Sequence, residues 1–99
     1  MSEIKTRWML LRDLEAAVNI SYKHAELSWL ADDFRECLRD RCTIAYVAEV
    51  AGRVAGIAVI ELCDGNTASV MHIASDCRAA SLALSKRIAS RDTTRTITV

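Results

Sequence analysis

Apolar and polar residues change their period several times along the chain. In IKTRWM (4–9) they alternate, with Ile4, Thr6 and Trp8 on one face and Lys5, Arg7 and Met9 on the other, which predicts a first strand. Asp13 then stands as an N-cap before LEAAVNISYKHA (14–25), where Leu14, Ala17, Val18 and Ser21 or Tyr22 recur at helical spacing. A second helix is predicted over 31–41. Trp29 precedes it, Asp32 and Asp33 suit its first turn, and Phe34, Cys37, Leu38 and Arg41 follow the i, i+3, i+4, i+7 series with basic residues late.

The period then falls to that of strands. TIAYVAEV (43–50) is rich in β-branched and aromatic residues, Ala51-Gly52 supplies a turn, and RVAGIAVIEL (53–62) is apolar on both faces, as a central strand should be. A second turn at Cys63-Asp64-Gly65-Asn66 leads to a strand over ASVMHIAS (68–75). Ser75 and Asp76 then occupy the N-cap region of a helix over 78–90, whose apolar stripe is Ala80, Ala83, Leu84 and Ile88. RTITV begins a last strand. The order β-α-α-β-β-β-α-β predicts an α/β fold in which helices cover a mixed sheet.

Composition adds limits rather than a function. The 99 residues suit one domain, and with no proline and three glycines there is little to divide the chain. A hydrophobic fraction of 52% and a mean hydropathy of +0.13 exclude the signature of disorder. Thirteen basic residues balance thirteen acidic ones, so no global field recruits nucleic acid. No apolar run approaches the roughly 20 residues of a membrane span, and MSEIKTR is no signal peptide, so a cytoplasmic protein is expected. Cys37, Cys42, Cys63 and Cys77, separated by 5, 21 and 14 positions, match neither zinc nor secreted-disulfide spacing and read as reduced, mostly buried thiols. Zinc held by them with His24 or His72 is the weaker reading.

Charge does change the picture locally. From residue 70 onward the bases are Arg78, Lys86, Arg87, Arg91 and Arg95 and the acids are Asp76 and Asp92, a net +3 inside a neutral chain. Most of such a run is solvated helix face. Its helix start nevertheless carries unpaired N–H groups and the positive end of a dipole, which is a ready anion site.

A more specific pointer lies in WLADDFRECLRDRCTIAYVAEVAGRVAGIAVIEL. Trp29, Asp33, Phe34, Leu38 and Arg39, then Val47, Ala48 and Glu49, then Gly52, Arg53, Val54 and Gly56, and finally Glu61 and Leu62, resemble the N-terminal half of the GCN5-related N-acetyltransferase superfamily, in particular its ribosomal-protein alanine N-acetyltransferase branch. The resemblance runs without gaps from about residue 7 to 62. It implies a single domain over 1–99 lacking the family's C-terminal helix and strands, and acetyl-CoA as cofactor. In the family the strand after this stretch pairs with the pantetheine arm, and an R/Q-x-x-G-x-G/A loop cradles the pyrophosphate. Here Ile73, Ala74 and Ser75 fall at the strand end, and Arg78, Ala79, Ala80, Ser81, Leu82 and Ala83 span the loop frame. Ser81 stands where the family has glycine, and a pair of residues is missing before Arg78, which predicts a weaker cradle because a β-carbon keeps backbone from phosphate.

The implied reaction moves an acetyl group from acetyl-CoA to an amine, either a protein N-terminus or a small amine. It needs a base for the amine and an acid for the departing thiolate. Thr98 stands nearest to the branch's catalytic glutamate, and its tyrosine helix lies beyond Val99, so no catalytic residue is assigned. Glu49 and Glu61 read as solvated strand residues, and Tyr22 and Tyr46 as packing aromatics with wet hydroxyls. His72, where the branch often carries Asn, is read as a hydrogen-bonding side chain across splayed strands, and His24 as a surface residue. Leu30 replaces a capping Ser or Thr. The competing expectation is a truncated, non-catalytic module or frameshifted product of such a gene, acting through binding or through self-association at an exposed sheet edge.

Overall fold

A computed structural model describes residues 3–63 and 67–90 of the chain. Its elements are β1 (Ile4–Trp8), a 3₁₀ turn (Leu11–Asp13), α1 (Leu14–His24), α2 (Ala31–Arg39), β2 (Thr43–Val50), β3 (Arg53–Cys63), β4 (Thr67–Ser75) and α3 (Arg78–Ser90). The four described strands lie in sequence order and pair antiparallel throughout. The strand predicted at 95–99 lies outside the described residues.

Alternation along the strands sends side chains to two cores. Ala45 and Val47 of β2, Ile57 and Val59 of β3 and Ala74 of β4 meet Leu14, Ala17 and Ile20 of α1 and Phe34 and Cys37 of α2. Tyr46, Ala48, Ala58 and Ile60 face the other way, onto Ala80 and Leu84 of α3. A sheet buried on both faces explains why β2 and β3 read as near-continuous apolar runs. The hairpin between them closes on Ala51 (φ +54°) and Gly52 (φ +81°), the two left-handed residues that a tight two-residue turn requires. Gly56 is needed for a different reason. A Cβ there would lie 3.0 Å from Leu84 Cδ1, 3.1 Å from Ala80 Cβ and 3.2 Å from Ser75 Cβ, so its absence lets the first turns of α3 sit close on β3.

Several local expectations are corrected. Asp13 precedes α1 but makes no side-chain cap there; its carboxylate reaches back to accept the Leu10 N–H at 2.7 Å and so closes the preceding 3₁₀ turn. Asp33 does the same for α2, accepting the Leu30 N–H at 2.8 Å, which supplies half of a capping box where Leu30 itself offers no oxygen. The second helix stops at Arg39 rather than 41. Asp40 turns extended and spends its carboxylate on the Cys42 N–H and the Thr43 hydroxyl, each at 2.9 Å. Of the two residues the α1 spacing allowed inside, Ser21 is fully buried, whereas Tyr22 is 78% exposed and packs little.

Candidate functional site

Two β-bulges position the strand, turn and helix that end the described chain. The β2–β3 register jumps between Ala48 and Glu49, leaving Ala55 without a β2 partner. The Ala55 carbonyl instead accepts the Asp76 N–H at 2.7 Å, anchoring the turn just after β4. In β4 the register jumps between partners of Val59 and Ile60, so Met71 is the extra residue. Beyond this second bulge His72 and Ala74 point into the α1–α2 side, while Ile73 points to the α3 side and stays exposed.

The predicted set from Ile73 to Ala83 is therefore one continuous strand, turn and helix start, but its members differ. Ala74 and Ala80 are buried, Arg78, Ala79 and Leu82 are exposed, and Ser75, Ser81 and Ala83 lie between. The helix begins at Arg78, so Ser75 and Asp76 are not adjacent to it as a cap would be. The Ser81 N–H is already spent on the Cys77 carbonyl at 3.2 Å. Arg78, Ala79 and Ala80 precede the first intrahelical donor, and among the described residues no backbone carbonyl accepts their N–H groups. Three such donors at the positive end of a 13-residue helix whose first residue is the basic Arg78 suit an anionic group.

One acid stands in that turn. Asp76 Oδ1 lies 2.7 Å from His24 Nε2, which ties the end of α1 to the turn and draws the carboxylate aside. His24 is thus exposed, as expected, but it is not an idle surface residue. Nothing in the local sequence pairs two residues 52 positions apart.

On the opposite side of β4 a second constellation forms around His72, which is 8% exposed. Its Nε2 lies 2.8 Å from Ser21 Oγ of α1, and the same oxygen accepts the Trp29 N–H at 2.8 Å. The Trp29 ring stacks on the imidazole at a centroid distance of 4.5 Å and an angle of 10°, and Phe34 meets it edge-on at 5.8 Å. His72 does hydrogen-bond through its side chain, but to a helix beneath the sheet rather than across strands. Burial pushes its pKa down, against a smaller opposing pull from the Asp33 carboxylate of α2, so the ring is held neutral. The unfolded chain then binds a proton that the folded one refuses. Folding stability should fall as pH drops below about 6.5 and level off once the folded ring is also protonated. Urea midpoints measured between pH 7.5 and 5 check this, and His72→Phe should flatten that limb.

The remaining candidates resolve otherwise. Glu49 is not a solvated carboxylate: its Oε2 accepts from Arg7 Nε at 3.0 Å, and Arg7 also grips Asp13. Tyr46 is buried at 2% exposure with the Arg87 guanidinium 5.3 Å from its ring centre. Of the three cysteines with described side chains only Cys37 is buried, while Cys42 and Cys77 are exposed, against the expectation of mostly buried thiols. Among the described residues no group of three His, Cys, Asp or Glu side chains could hold a metal ion, and no helix is long and apolar enough to cross a membrane. Thr98 lies outside the described residues.

No family model and no curated protein matches the chain. Solved structures do. The ribosomal-protein-S18-alanine N-acetyltransferase from Escherichia coli superposes with a TM-score of 0.71 at 18% identity, covering 91% of this chain and 62% of its own. The ribosomal-protein-alanine N-acetyltransferase from Brucella melitensis biovar Abortus 2308 gives 0.71 at 21% identity, covering 96% and 79%. A predicted acetyltransferase from Clostridium acetobutylicum, solved with acetyl-CoA, gives 0.67 at 11% identity, covering 97% and 79%. The chain thus spans less than two thirds of the first of these proteins, and at such identities the likeness is one of fold. Strand order, helix placement and these superpositions together give the described chain the fold of the GCN5-related N-acetyltransferases.

Proposed function

We propose that the chain binds acetyl-CoA along β4 and the start of α3 and serves acetyl transfer to an amine, a protein N-terminus or a small amine. The observation that carries this reading is the unaccepted trio of N–H groups at Arg78, Ala79 and Ala80, placed by the Ala55 anchor directly after β4. Those donors and Arg78 would hold the pyrophosphate, while β4, which pairs with β3 on one side and with no other described strand, offers Ile73, Ala74 and Ser75 to an extended arm. Acetyl-CoA supplies the activated acyl group; the residues described here bind and orient it. With Ser81 outside the cradle, its replacement of glycine removes less than the spacing alone suggests. His24 keeps the Asp76 charge turned toward α1 and away from an incoming phosphate.

A second reading, binding or self-association without catalysis, is favoured by the edge of the described sheet. Val70, Met71 and Ile73 are 46%, 43% and 40% exposed on β4, and such an edge is a template for another strand. One titration separates the two. If the site binds acetyl-CoA, the melting temperature rises with its concentration, by the equivalent of about 2.7 kcal/mol at one hundred times the dissociation constant. Sedimentation of the same samples reads the second possibility. An unchanged melting temperature together with a concentration-dependent dimer would replace the first reading by the second.

A further inference from the structure

We propose that His72 is the hydrogen-bond donor for the acyl carbonyl oxygen, presenting Nδ1–H into the groove between β4 and the segment joining α1 to α2. The inference rests on the reading above of an acyl-CoA donor lying along β4, and it concerns which side chain meets the acyl end.

The bonds already formed favour one tautomer. Ser21 Oγ accepts the Trp29 N–H, and among the described residues the acceptor within reach of its own proton is His72 Nε2. The arrangement that uses the hydroxyl proton therefore has Ser21 donating to that nitrogen. An imidazole that accepts at Nε2 and is held neutral by burial carries its proton on Nδ1. Trp29 stacked on one face and Phe34 at the edge hold that orientation, because turning the ring would give up both contacts and the Ser21 bond.

What remains is where Nδ1 leads. No buried side-chain nitrogen or oxygen among the described residues lacks a partner, and none of the described residues partners Nδ1. Nδ1 would then face the groove that His72 lines, about 270 Å³ in volume, with Leu27, Trp29 and Met71 among its apolar walls. Glu26 is the one charged residue in this lining. Such a lining favours a short uncharged chain with one polar acceptor atom, which describes an acyl group and its carbonyl. Its position agrees with the direction of the donor. A pyrophosphate on the N–H groups of residues 78–80 sends its arm back along Ser75, Ala74 and Ile73, so the thioester end arrives beside residue 72.

A base is not what this geometry provides. With its lone pair committed to Ser21, neutral His72 has a proton to share at the groove and no vacant nitrogen to take one. Its role is to hold the carbonyl oxygen.

Two measurements on the whole chain test this. Long-range ¹H–¹⁵N spectra of the free protein near pH 7 should show the Nδ1–H tautomer, and an Nε2–H tautomer would overturn the proposal. In infrared spectra of acetyl-CoA carrying a ¹³C carbonyl, the bound band should move to lower frequency in the wild type and return toward its free position in His72→Phe. That variant should bind acetyl-CoA about three- to tenfold more weakly and CoA unchanged. Should it fail to fold, the Nδ1–H resonance of the wild type decides, since acetyl-CoA but not CoA should shift it. Acetyl-CoA that raises the melting temperature without moving the carbonyl band or the Nδ1–H resonance defeats the His72 assignment alone. Acetyl-CoA that leaves the melting temperature unmoved defeats the acyl-CoA reading, and this inference falls with it.

Discussion

Phe34→Ala should cost about 3–5 kcal/mol, the largest loss from any single side-chain truncation among the described residues. Phe34 has no exposed surface and is the largest of the fully buried side chains among the described residues. Its ring lies 5.2 Å from Trp29 and 5.8 Å from His72, so it packs the α1–α2 core and also forms one wall of the imidazole cluster. A domain of this length sits near or below the low end of the usual ~5–15 kcal/mol, and the variant would keep little of that. Urea unfolding followed by far-UV circular dichroism should show a much lower midpoint. Phe34→Leu, which fills most of the volume, should recover all but about 1–1.5 kcal/mol. A second readout is specific to the cluster. Where enough folded protein survives, thinning the shell around His72 should bring its pKa back up toward the ordinary value, visible in the titration of its ring protons.

That core was largely legible in the chain itself, and the reasons differ by element. The strand at Thr43–Val50 appears at its predicted bounds, since an apolar run with β-branched residues between a turn and Ala51-Gly52 leaves one register that buries both faces. Phe34 and Cys37 are buried as the helical series implied, and α3 occupies its predicted range because Ala80 and Leu84 repeat on one side. Helix ends were harder. Asp13 and Asp40 both read as helix residues or caps, whereas each bonds to a turn donor two or three residues away, a choice set by backbone geometry rather than residue type.

The candidate site was legible only in its backbone. A strand running into a basic helix start is a local pattern, and the described β4 and α3 follow it, with free N–H donors at 78–80. The side-chain chemistry is not local. Ser21 and His72 stand 51 positions apart, and His24 and Asp76 52 apart, brought together because the β4 bulge turns His72 toward α1 and the Ala55 carbonyl fixes the turn that follows. A serine in an apolar helical stripe was the available signal. Alone it could have been a tolerated polar residue, and it acquires meaning from the two donors and acceptors that fold onto it.

Arg7→Met should destabilise the fold by about 3 kcal/mol near pH 7, and the loss should shrink as the solution is acidified. Arg7 donates from both terminal nitrogens to Asp13, at 2.8 and 2.9 Å, and from Nε to Glu49 at 3.0 Å. Asp13 is 4% exposed, so without the guanidinium its carboxylate keeps only the Leu10 N–H as a partner in a place that water barely reaches. In the wild type the Arg7 hydrogen bonds, against a smaller burial effect, hold the Asp13 pKa below its ordinary value. The pair therefore stabilises the fold fully above the unfolded carboxyl pKa of about 3.9 and loses that contribution as pH falls through the lower folded value. In the variant burial is the largest of the effects that remain, with the Leu10 N–H and the Arg12 charge opposing it. The folded pKa should therefore rise above the unfolded one, and protonation should relieve the fold instead of weakening it. Wild type and variant should accordingly converge between pH 7 and pH 3, as read from paired urea midpoints. A gap that stays constant across that range would mean that Arg7 contributes through the packing of its methylenes and not through the buried carboxylate.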